Sequence, residues 1–128
     1  MADKPKTLPP TLREKKRYLA FEIISEKPLR FDAIVDAFWN ALLTLLGELG
    51  TARTNVWFVK DAWDEKRQRG LVRCGHVQVE NVRVALALIT SIGGVRVIPH
   101  SLGVSGTMEG ARKKFLGERT LKDFADET

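Results

Sequence analysis

The side chains in this chain that could carry chemistry are few and scattered, with one exception. The histidines are His76 and His100, and the one cysteine is Cys74. Cys74-Gly75-His76 sets two metal-ligand types two positions apart, but a structural zinc site needs four donors and nothing nearby completes the set. The same residues read better as a buried thiol at a strand end and a loop histidine. No nucleophile elbow is present, and no catalytic cysteine motif surrounds Cys74. Asp32 and Asp36 fall on the polar face of a helical stretch, where carboxylates are solvated. The segment Ser25-Glu26-Lys27-Pro28-Leu29-Arg30 lacks the glycines that let backbone amides close around an oxyanion, and Glu26 repels one. The sequence therefore predicts no catalytic side chain and no metal ligand.

The exception is cationic. Arg13, Lys15, Lys16 and Arg17 form one tract, and Arg112, Lys113 and Lys114 form another. Lys66, Arg67 and Arg69 form a third, with Arg73 close behind. Such groups neutralise phosphates and release counterions, which makes binding salt-dependent. Lys and Arg number 21 against 16 Asp and Glu, a net charge of +5, and this balance favours a polyanionic partner. One tract alone reads as a solvated face; three on one small domain point to RNA. Sheets that read single strands carry aromatics on their central strands, and Gly70-Leu71-Val72-Arg73-Cys74 has none. Tyr18 and Trp57 could stack on a base, though core or partner packing is their expected use. The pattern thus favours recognition of a structured RNA by shape and backbone.

Periodicity supplies the elements that must hold these tracts. Leu19, Phe21 and Ile23 alternate with Tyr18, Ala20 and Glu22, the period of a strand with two unlike faces. From Phe31 the pattern becomes helical through Ile34, Val35, Phe38, Leu42, Leu45, Leu46 and Leu49, with Gly47 or Gly50 as the stop. Trp39 and Leu43 widen its apolar face, as a deep core or a protein partner would require. Strands are predicted over 55–60 and 70–74, joined by a long polar loop from Asp61 to Arg69. A second helical stripe uses Val82, Ala85, Leu86, Ile89 and Ile92 and is expected to end at Gly93-Gly94. Val95–Leu102 reads as a fourth strand, with Pro99 marking a sheet edge. Thr107 is a good N-cap for a last helix over about Met108–Leu116.

The order β-α-β-β-α-β predicts an α+β fold: a ferredoxin-like sandwich with a four-stranded antiparallel sheet, two helices on one face and a C-terminal helix. Residues 1–12 are expected to be a flexible Pro/Lys-rich arm, 13–118 the RNA-binding domain, and 119–128 an acidic tail. A composition of 44% hydrophobic and 29% charged residues is that of a self-folding domain. One cysteine cannot make an internal disulfide, which fits a reducing compartment. The apolar stretch 37–49 is too short to span a bilayer. A soluble, cytoplasmic protein is expected.

Four blocks occur in order that resemble the protein component 2 family of archaeal ribonuclease P, the Pop-type subunits of ribonucleases P and MRP. They are LREKKRYLAFE (Leu12–Glu22), Gly47-Glu48-Leu49-Gly50, Gly70-Leu71-Val72-Arg73-Cys74 and SLGVSGT (Ser101–Thr107). The resemblance runs from about Leu8 to Leu116 and is carried mainly by the first and last blocks. It implies a ferredoxin-like fold and a subunit of the ribonucleoprotein that removes 5′ leaders from precursor tRNA. There an RNA catalyses the hydrolysis with magnesium, and the protein itself binds no cofactor. The implied partners are the ribonuclease P RNA, precursor tRNA, protein component 3 and other protein subunits, with self-association a further option and no membrane. The block Arg13–Arg17 and the region Ser105–Lys114, including Thr107, would face RNA. The sequence departs from the family in its Pro/Lys arm, the Asp61–Arg69 loop with Trp63, and the acidic tail. Two other readings stay beside this one. One is another structured-RNA module on the same fold, ribosomal or RNA-processing. The other is a ligand-sensing or small hydrolase domain, which would show little salt dependence with RNA.

Overall fold

The computed structural model describes residues 15–117. Arg13, the 1–12 arm and the 119–128 tail lie outside the described residues. The elements are β1 (Lys16–Ser25), α1 (Phe31–Arg53), β2 (Trp57–Asp64), β3 (Arg69–Gly75), a 3-10 turn (His76–Gln78), α2 (Val79–Ala87), β4 (Ser91–Ile92), β5 (Val95–Ser105) and α3 (Met108–Phe115). The sheet runs in the order β2-β3-β1-β5-β4, and every pairing is antiparallel. The chain is therefore α+β as expected, with five strands where four were predicted.

β1 lies at the centre, and its alternation divides the molecule. Leu19, Phe21 and Ile23 point to the face covered by α1 and α2, where Ile34, Phe38, Leu42, Val82, Ala85 and Leu86 complete a fully buried core. Each large apolar side chain there contributes about 1.5–3 kcal/mol on leaving water. Phe21 meets Phe38 edge-on at 5.9 Å and stacks on Trp63 at 6.3 Å. Gly70, opposite Phe21 in the ladder, leaves room for both rings: a Cβ there would stand 3.0 Å from each. Cys74 is buried in the same core.

The second face is covered by α3. Ala20, Val59, Leu71, Ala111 and Leu116 are buried there, with Tyr18, Leu102, Met108 and Phe115 packed around them. Gly103 pairs with Ala20, and a Cβ at 103 would overlap the Phe115 ring. Thr107 caps α3 as its sequence suggests: its Oγ1 accepts from the Gly110 amide at 3.0 Å.

Four expectations change. β4 and β5 are joined through Gly93-Gly94, both at positive φ, with Ile92 opposite Val95. This is the backbone a two-residue hairpin demands, so the glycines make a turn after a shorter helix, and Ile92 belongs to a strand. β4 pairs with Val95 and Arg96 alone, so β5 is still an edge at Pro99. Gly47 interrupts α1 at φ 72° and the helix resumes to Arg53. By length and composition α1 could cross a membrane, but its Ile34-Phe38-Leu42 stripe is buried on the sheet.

The fourth change is in the 61–69 segment, where Asp61–Asp64 extend β2 and Trp63 enters the core. The turn closes on Asp64, whose Oδ1 accepts from the Lys66 and Arg67 amides. Gln68 then follows, buried and at positive φ. Its Nε2 donates to the Ile23 carbonyl at 2.7 Å, and its Oε1 accepts from the Leu29 amide at 2.6 Å.

Replacing Gly103 with Ala should destabilise the domain by about 1–3 kcal/mol, the cost of overpacking, read as a lower urea midpoint. Adding Phe115→Leu should recover part of that loss. Additive losses in the double variant would show that the two sites are not coupled.

Candidate nucleic-acid interface

The strand register aligns four side chains across the sheet. Trp57 on β2 stands opposite Arg73 on β3, Arg73 opposite Tyr18 on β1, and Tyr18 opposite Ser105 on β5. Directly opposed residues share a sheet face, and Tyr18 fixes it as the face that carries α3. Lys16, two residues before Tyr18, projects to the same side. The Arg73 guanidinium lies 5.7 Å from the centroid of the Trp57 ring, a cation–π contact worth roughly 0.5–1 kcal/mol at an exposed site.

Ser105 leads into α3, and its Oγ accepts from the Thr107 amide. Arg17 reaches the same corner although strand alternation starts it on the other face. Its Nη1 donates to the Lys16 carbonyl at 3.0 Å and lies 3.9 Å from where a Cβ on Gly106 would stand. Lys15 is anchored by its carbonyl, which accepts from the His76 amide at 2.7 Å. The first turn of α3 adds partial positive charge at this end.

The structure thus gathers Lys16, Arg17, Arg73, Ser105 and Thr107 at one end of the α3 face, with Lys15 beside them. Among the described residues, no carboxylate forms an ion pair with Lys15, Lys16, Arg17 or Arg73. Arg112, Lys113 and Lys114 stand farther along, as α3 rises about 10 Å from Thr107 to Lys114. Lys113 pairs with Glu109 at 3.3 Å and Lys114 is exposed. Arg112 is half-buried and already engaged.

The 66–69 tract has other duties. Arg69 pairs with Glu22 at 2.7 Å, both largely shielded, and its Nη1 donates to the Phe115 carbonyl at 3.3 Å. It therefore ties the C-terminal end of α3 to the sheet. Arg67 leans toward Asp64 at 4.0 Å. His100 sits at this far end beside Glu22, 3.9 Å away. The Leu29 amide in the loop after β1, where a phosphatase would grip its substrate, is taken by Gln68.

Sequence reasoning passed over Trp57 as a site residue, expecting it to pack. It is 61% exposed. Trp57 and Val59 alternate with Phe58 on β2, and Val59 and Phe58 join opposite cores. That alternation was the available signal: it puts Trp57 on the α3 face, one pleat past the buried row. Unpaired cations beside an exposed aromatic can hold a sugar–phosphate chain and contact its bases.

The model of the Rpp14/Pop5 family matches residues 17–116. The chain is 51% identical to ribonuclease P protein component 2 of Thermococcus kodakarensis over 118 residues, 92% of this chain and 97% of that one. It is 48% identical to the protein of the same name from Pyrococcus furiosus, with the same coverage. A chain in the structure of yeast ribonuclease MRP superposes with a TM-score of 0.60, at 14% identity, covering 96% of this chain and 95% of that one; that likeness concerns the fold.

Reversing the charges of Lys15, Lys16 and Arg17 to Glu should weaken binding of a structured RNA and flatten its salt dependence. For every phosphate no longer neutralised, the log–log slope should fall by roughly 0.7–0.9. A salt titration with an unchanged slope would return the tract to a solvated face.

Proposed function

This chain belongs to the Rpp14/Pop5 family, and from that we propose that it acts as a ribonuclease P subunit that grips the catalytic RNA at the Lys16–Arg73–Ser105 end of its sheet. The observation that carries the assignment is the convergence there of cations that have no acidic partner among the described residues, on a face packed by α3. Arg69, Arg67, Arg83 and Lys113, by contrast, have Glu22, Asp64, Glu80 and Glu109 within ion-pair distance. Cations left unmatched in a folded domain repel one another, and a polyanion relieves that repulsion.

Two effects follow for RNA. The cations screen phosphate repulsion, so the RNA folds at lower magnesium. A rigid sheet also fixes the RNA in one geometry, lowering the ordering cost on substrate binding. The magnesium that supports hydrolysis belongs, in this reading, to the RNA, and none of the described side chains is assigned to it. The scaffold is read as ferredoxin-like with an added short strand. Precursor tRNA, protein component 3 and the other subunits complete the partners, in the cytoplasm. Leu43, Leu45 and Leu49 of α1 are exposed and supply the apolar face a protein subunit would cover.

Reconstitution of the ribonuclease P RNA with component 3, with and without this chain, tests the proposal. Cleavage of precursor tRNA at low magnesium should be faster with the chain present. Equal rates would contradict the assignment, and RNA binding without an effect on cleavage would favour a different RNA-processing module.

A further inference from the structure

We propose that Trp57 and Arg73 form a subsite for one unpaired nucleotide, with its base stacked on the free face of the indole and its phosphate on the Arg73 guanidinium. This deepens the reading of the chain as an RNA-holding subunit and rests on it. Three features of the pair point to a ligand. Trp57 lies on the edge strand, 61% exposed, and belongs to neither core cluster. One face of its ring is occupied by Arg73 and nothing in the register covers the other. A large, rigid ring held open in this way has the form of a stacking platform.

Arg73 supplies the second feature. It is held between Trp57 and Tyr18 in the cross-strand row, so its long side chain is already ordered. Its Nε is buried and has no hydrogen-bond partner. Arg69 and Arg67, by contrast, have the carboxylates of Glu22 and Asp64. A guanidinium ordered by its neighbours, and with no carboxylate partner among the described residues, can offer its Nη groups to a phosphate at little further ordering cost.

The third feature is position. Lys16 and Ser105 lie in the same corner of the face, so a strand crossing from β5 to β2 passes cations before reaching the ring. The chemistry suits an unpaired nucleotide better than a duplex, because stacking needs a base that has left its helix. The nucleotide can come from the ribonuclease P RNA or from the 5′ leader of its precursor, and both offer the same base and phosphate.

The test is an anisotropy titration, with the full chain, of a fluorophore-labelled short oligouridylate and of a labelled small RNA hairpin. Trp39 and Trp63 are partly buried against the α1/α2 core, and a label on the RNA keeps the reading independent of all three indoles. Trp57→Leu should lower single-strand affinity by about 5- to 100-fold, the range for loss of one base stack. Trp57→Phe should keep most of that affinity, and hairpin affinity should not change in either. Repeating the Trp57→Leu comparison with ribonuclease P RNA, and with precursor tRNA carrying or lacking its leader, locates the nucleotide by where the loss appears.

The inference is overturned if both variants bind the single strand like the wild type. Salt-dependent binding of the hairpin would then still stand, and with it the proposed function. It is also overturned if Trp57→Leu and Trp57→Phe weaken binding equally, or if Trp57→Leu impairs only association with a protein subunit. Failure of the wild type to bind any RNA would instead remove the proposed function itself.

Discussion

The ring of Phe115 fills the space that a side chain at position 103 would need, and the rest of the α3 face depends on that contact. Ala20, Leu71 and Gly103 make a low floor across three strands, and Ala111 lets the helix approach it. Its last turn is seated there, with the carbonyl of Phe115 accepting from Arg69. Its first turn lies beside Ser105 and Arg17. Packing at one end of the helix thereby sets electrostatics at the other.

β1 makes this economical because both its faces are used. Leu19, Phe21 and Ile23 anchor the large core under α1 and α2, while Tyr18, Ala20 and Glu22 meet three different environments on the opposite face. Ala20 lies under α3. Glu22 takes Arg69 out of circulation at the far end. Tyr18 opens onto the corner where Lys16 and Arg73 have no acidic partner among the described residues. The charges at the two ends of the sheet are of similar kind, and what separates them is whether the register supplies a carboxylate, as it does for Arg69 with Glu22.

Much of this was legible in the residues. The two-faced alternation of β1, the Ile34-Phe38-Leu42 stripe and the Thr107 cap depend on local spacing, and each is where that spacing puts it. What local spacing does not contain was missed. Gly93-Gly94 suits a helix stop as well as a hairpin, and the short strand at Ser91-Ile92 decides between them through its pairing with β5. Asp61–Asp64 looks like a loop because an edge strand carries polar residues, while Trp63 crosses inward through the gap at Gly70. Arg69 reads as one more phosphate grip until the ladder brings Glu22, 47 positions away in the chain, to within 2.7 Å. Trp57 looks like core until β2 is seen to be the sheet edge. The tracts were visible; their sorting into paired and unpaired needed the register.

The most direct test of the account is to photocrosslink the assembled ribonuclease P RNA to this chain and map the attached peptides by mass spectrometry. Crosslinks should concentrate at Lys15–Tyr18, Arg73 and Ser105–Lys114, on the α3 face. Crosslinks concentrated on the exposed surfaces of α1 and α2, with the α3 face unlabelled, would contradict it.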